Sequence, residues 1–135
     1  LLQLQKTNTS NTRRIEYFEF LMNLLQQISN RTDSQQIYSL IRSNQDKFDH
    51  NTTKILKYWA NETNLSVNVQ QQRAIANDLV NLGNIVSSYP AGDKSNNIEM
   101  AIVCYEAALK PYKPINFPKD WAILVLLIHI VLKEI

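Results

Sequence analysis

Glycine and histidine occur only twice each in this chain, proline four times and cysteine once. So little turn chemistry argues against a β-rich fold, which needs tight turns at short intervals. Cys104 has no second cysteine to pair with, so an internal disulfide is excluded and a reducing compartment is favoured. His50 and His129 are the only histidines, and both lie far along the chain from Cys104. No metal-ligand spacing results, and no Cys/His nucleophile pair is legible. A glycine-rich phosphate loop is also missing.

Charge of one sign is equally scarce. The net charge is +2, and Arg13-Arg14, the only adjacent basic pair, is followed at once by Glu16 and Glu19. That is a solvated helix start, not an electrostatic footprint for nucleic acid. The longest apolar stretch, Trp121 to Leu132, is twelve residues, short of the roughly 20 needed to span a bilayer. Leu1-Leu-Gln-Leu-Gln is too short and too polar for the apolar region of a signal peptide. The expected location is therefore cytoplasmic. No initiator methionine is present, which fits a piece of a longer protein. Five Asn-x-Ser/Thr triplets, at Asn8, Asn30, Asn51, Asn61 and Asn64, follow from a composition rich in those residues.

What is present is helical patterning. At 135 residues, 44% hydrophobic and 19% charged, the chain fits one domain with a genuine core. Residues 1–12 are Thr-, Asn- and Ser-rich and are expected to fray. Arg14 to Ile28 carries two apolar stripes, Ile15, Phe18, Met22, Leu25 and Tyr17, Leu21, Leu24, Ile28, which predicts packing on both sides. After a break at Asn30–Asp33, a short helix is expected over Ser34–Ser43. Asp49 or Asn51 caps a third helix bearing Ile55, Leu56, Trp59 and Ala60, with a looser stretch over Asn61–Asn68. Val69–Ser88 reads as a long fourth helix with Ile75, Leu79, Leu82 and Val86 on one face.

Pro90 and Gly92 punctuate Tyr89–Asp93, and Asn96 with Glu99 reads as a capping box for a fifth helix over Asn97–Lys110. Pro111 and Pro114 end that helix. Pro118 and Asp120 open a sixth. The fold class is all-α, built of antiparallel helical hairpins. The organisation is a frayed segment over 1–12, an N-terminal helical region over 13–66, and a hairpin plus a C-terminal apolar helix over 67–135.

Leu79, Leu82, Gly83 and Val86, followed by Ala101, Tyr105 and Ala108, resemble the two helices of a tetratricopeptide (TPR) repeat. The loop Tyr89–Lys94 is longer than the plain repeat's. With Asn97-Ile-Glu, Tyr105-Glu-Ala-Ala-Leu and Phe117-Pro-Lys-Asp-Trp-Ala122, it looks like a cyanobacterial-type TPR array. Tyr38-Ser-Leu-Ile and Lys54–Ala60 resemble the helical region that precedes such arrays, so the likeness covers about Tyr17 to Ala122. Many relatives end in a CHAT domain, a caspase-like peptidase, to which nothing in this chain corresponds. After Ala122 the chain departs from the family. Where a polar run and a packing glycine belong, it reads Ile123-Leu-Val-Leu-Leu-Ile-His-Ile-Val-Leu132, with His129 at the glycine position. That segment is either a terminal element with a different partner or the product of an interrupted reading frame.

The resemblance implies an α-solenoid fragment and a non-catalytic protein–protein interaction scaffold with a protein or peptide partner. The second reading is a regulatory or targeting segment of a larger CHAT-type protease. Leu79, Leu82, Gly83, Ala101, Tyr105 and Ala108 are the expected repeat-packing residues. Asn77, Asn81, Asn84 and Ser88, with Asp78 between them, are the candidate partner-binding residues, since amides can bond an extended peptide backbone. Tyr58 and Tyr112 are expected to be exposed, Trp59 and Trp121 to be core. Cys104, one position before Tyr105, reads as a small core residue, and Glu16, Glu19, Asp46 and Asp49 as helix starts and solvated faces. No catalytic residue, cofactor or metal is expected. Ile123, Leu124, Leu127, Ile128, Val131 and Leu132 fall on more than one face. One face is expected to dock on the fifth helix, leaving another for self-association, a missing repeat or membrane contact.

Overall fold

A computed structural model describes residues 2–134, with side chains described over 11–134 apart from Leu65. The described residues form six helices, α1 (Leu2–Ser29), α2 (Ser34–Ser43), α3 (His50–Ser66), α4 (Val69–Ser87), α5 (Lys94–Leu109) and α6 (Pro118–Leu132), with a 3-10 turn at Gln45–Lys47. No strand occurs among them. The all-α class holds.

Two helices are longer than their patterning suggests. The backbone of α1 is helical from Leu2, ahead of the Arg14 start, and α3 continues to Ser66 through the stretch expected to be loose. Neither extension contains glycine or proline. Propagating an existing helix costs little once a packed segment has nucleated it. Polar Thr, Asn and Ser lower propensity by tenths of a kcal/mol, which is not enough to stop it.

Caps set the other boundaries. Asp33 accepts from the Gln35 amide to start α2. Asp49 and Thr52 bond each other's backbone reciprocally to start α3. Asn68 and Gln71 do the same for α4 at 2.8 and 3.1 Å. The expected Asn96/Glu99 box is corrected: Asp93 caps α5, accepting from the amides of Ser95 and Asn96. The Asn96 amide side chain is used elsewhere, donating to the Phe48 carbonyl at 3.1 Å. Asp93 wins because it lies one residue past Gly92, whose φ of 74° reverses the chain.

Helix α5 is the centre of the molecule, in contact with α3, α4 and α6. Its buried residues, from Asn97 to Ala108, cover about half of the helix circumference. That explains its run of alanines, since three neighbours leave little room for large side chains. A single hydrophobic core joins the regions 13–66 and 67–135. Phe20, Phe48, Tyr89 and Tyr38 form a chain of ring contacts from α1 to the α4–α5 turn. On α1 the stripe Tyr17, Leu21, Leu24 and Ile28 is buried. Of the other stripe only Leu25 is buried, and Ile15 and Phe18 are exposed. Two-sided packing therefore fails at the first turns of the patterned segment, where no described helix covers Ile15 and Phe18.

Candidate functional site

Helix α4 presents two faces. Ala76, Leu79, Leu82, Gly83 and Val86 are buried, whereas Asn77, Asn81, Asn84 and Ser88 are exposed. The spacing of three and four residues puts each set on its own side of the helix. The hairpin is antiparallel. Gly83 near the end of α4 meets Tyr105 of α5, and Arg73 near its start meets Tyr112 beyond the end of α5.

At the Gly83 crossing, a Cβ would lie 2.6 Å from the Tyr105 Cε1 atom. Tyr105 is fully buried, and its hydroxyl donates to Asn84 Oδ1 at 2.6 Å. Leu79, Leu82, Ala101 and Ala108 are also buried. The Asn84 side chain is thus engaged within the hairpin, unlike Asn77 and Asn81. Polar residues on an exposed face carry no sequence signal for such a bond.

Tyr112 corrects its expected exposure. It is buried, edge-to-face with Phe117 at 5.6 Å between ring centroids. The Arg73 guanidinium lies 5.1 Å from the Phe117 centroid and 5.9 Å from that of Tyr112. Cation–π contacts of this kind contribute about 0.5–1 kcal/mol at exposed sites. They tie the loop before α6 to the start of α4. Trp121, expected in the core, is instead 38% exposed, and Trp59 is half-buried. Tyr58 is exposed as expected.

Between α4 and α6 this leaves a groove of about 370 Å³. Asn77 and Asn81 line one wall, with Asp120 and Ile123 on the other and Val80, Leu124 and Tyr112 as the apolar part. Arg31, from the turn after α1, also lines it. That residue has a φ of 59°, the left-handed region. Its amide bonds the Ile28 carbonyl while the Thr32 amide bonds that of Gln27, a helix-closing pattern that normally uses glycine. A long cationic side chain therefore occupies a position where the backbone favours none. Sequence reading found the amides but missed Arg31, whose cap role needs the turn geometry to be seen.

Cys104 is fully buried on α5, and burial pushes its thiol well above the ordinary value. The histidines lie elsewhere, His50 paired with Glu99 at 2.9 Å and His129 exposed on α6. Among the described residues no group of three or more His, Cys, Asp or Glu could hold a metal ion. No described helix is long and apolar enough to cross a membrane.

Desolvation also raises Tyr105 and Tyr17, the latter donating to Asp49 at 2.6 Å. All three groups hold their protons more tightly folded than unfolded. Their contribution is complete below the unfolded values and is lost as pH rises through the folded ones. Denaturant titrations at increasing pH should show stability falling above about pH 9, with the first part of the fall removed by Cys104→Ala. Alkylation of Cys104 should follow global unfolding alone. Rapid labelling under native conditions would contradict its enclosure.

No family model, no curated protein and no solved structure matches the chain.

Proposed function

We propose that the chain is a non-catalytic protein–protein interaction scaffold of tetratricopeptide type, with the α4–α5 hairpin as its repeat unit. The observation that carries the reading is the groove over α4, where Asn77 and Asn81 face open space beside an apolar wall. An extended peptide needs donors and acceptors for its backbone and a hydrophobic surface for alternate side chains. The groove supplies both. Arg31 attracts an acidic side chain or carboxylate at one point of the bound segment, and Asp120 on the facing wall attracts a basic one. Gly83 beneath Tyr105, with Ala101 and Ala108 buried on the facing helix, supports the hairpin part of the reading.

A peptide array probed with the whole chain, followed by fluorescence anisotropy on the sequences retained, tests the site. Asn77→Ala and Asn81→Ala should each weaken binding about five- to tenfold, the loss of one hydrogen bond. Arg31→Gly should weaken acidic peptides more than neutral ones. It should leave stability unchanged or slightly raised, because glycine suits the left-handed position. Binding that ignores all three substitutions would move the site elsewhere.

A further inference from the structure

Helix α6 buries Leu124 and Val131 but leaves Ile123, Leu126 and Ile130 49–59% exposed on the opposite side. These three residues, spaced by three and four, form one continuous apolar stripe. Leu127, half-buried, flanks it. We propose that this stripe is a homodimer interface, occupied by α6 of a second copy running antiparallel. Ile123 also lines the far wall of the groove, so the stripe borders it, but Leu126 and Ile130 lie outside the groove and the inference does not depend on what the groove binds.

Two features select a second copy. An isologous contact requires a patch complementary to itself under a two-fold rotation. The order Ile123, Leu126, Leu127, Ile130 reads the same in both directions about a point between the two leucines. With the two-fold axis there, Ile123 of each copy meets Ile130 of the other, and the leucines pack across the axis.

The helix ends supply the second feature. Lys119 and Glu134, exposed at opposite ends of α6, come within reach of each other between copies. The same arrangement brings the positive N-terminal end of each helix beside the negative C-terminal end of its partner. A parallel pair would place Lys119 beside Lys119 and align the two dipoles.

Analytical ultracentrifugation of the whole chain across micromolar to sub-millimolar concentrations reads the association. A monomer–dimer equilibrium is expected, and Leu126→Glu and Ile130→Glu should each abolish it. Both residues are exposed in the single chain, so circular dichroism should show unchanged helicity. Glu134→Lys should weaken the dimer roughly three- to tenfold although it favours the C-terminal end of its own helix. Adding Lys119→Glu should restore it.

Orientation is read by oxidative cross-linking, with Cys104 buried and silent. Leu126→Cys should cross-link between copies. Lys119→Cys should not, because its two copies lie about 22 Å apart along the paired helices. A strict monomer at the highest concentration, a dimer indifferent to Leu126→Glu and Ile130→Glu, or efficient cross-linking through Lys119→Cys would each overturn the proposal.

Discussion

Replacing Gly83 with leucine is expected to destabilise the domain by about 3 kcal/mol or more, and even alanine should cost about 1–2 kcal/mol. The alanine result is the more telling one. In an open helix, glycine to alanine gains about 1 kcal/mol. Here the added methyl would sit 2.6 Å from Tyr105 Cε1 and 3.0 Å from Cδ1 and Cζ. The neighbour is a ring that cannot fold away. It is 1% exposed, enclosed by the core and tethered through its hydroxyl to Asn84. Relief needs either a shift of α5 or a broken bond to Asn84, and α5 is held on two further sides by α3 and α6.

A double-mutant cycle separates this clash from general helix effects. In a Tyr105→Leu background the ring is gone, so Gly83→Ala should become neutral or mildly stabilising. The coupling between the two sites should reach about 2 kcal/mol, at the upper part of the range for residues in direct contact. Thermal or denaturant melts of four proteins measure it. An alanine variant that is more stable in the native background would remove Gly83 from the helix crossing.

Gly83 also shows what the sequence makes legible. A glycine inside an apolar stripe, facing an alanine–tyrosine–alanine pattern, has few uses other than a close approach of helices. Leu79, Leu82, Ala101, Tyr105 and Ala108 come from the same argument, and all are buried. Periodicity placed α2 and α4 within a residue or so of their ends and α6 at its start, since caps and prolines mark them locally. It failed where the signal is tertiary. The N-terminal part of α1 and the last turns of α3 have no apolar stripe, yet their backbones continue the helix.

Tyr112 and Trp121 were misplaced for one shared reason. Both flank the loop before α6, and their burial depends on the path that loop takes. Arg73, nearly forty positions from Tyr112, lies over the rings of Tyr112 and Phe117 and ties that loop to α4. Nothing in a local window couples those residues. Arg31 belongs to the same class. Its entry into the groove follows from a left-handed turn at a position where sequence rules look for glycine or asparagine.

The second large effect separates the two sides of α6. Leu124→Ala should cost about 2–3 kcal/mol, whereas Leu126→Ala, measured in the monomer, should stay within about 0.5 kcal/mol. The pair is chemically identical and two positions apart. Leu124 is 4% exposed and Leu126 is 59% exposed, so only the first leaves a cavity when shortened.

Counting six apolar residues of this helix as buried would overstate its contribution. Leu124 and Val131 alone are enclosed, Leu127 and Ile128 are half-buried, and Ile123 and Leu132 are 58% and 45% exposed. At about 1.5–3 kcal/mol per enclosed side chain, the docked face stabilises by about 3–6 kcal/mol, an upper estimate because the unfolded chain already buries part of that surface. That remains comparable with the net stability of a small domain. Deleting residues 121–135 should therefore destabilise α5 as well, since one of its three packed sides would open to water. Hydrogen exchange on the truncated chain reads this directly. Protection should fall along α5 while α2, which makes little or no contact with α6, is affected only by global unfolding. Unchanged protection in α5 would mean that α6 is an appendage rather than part of the core.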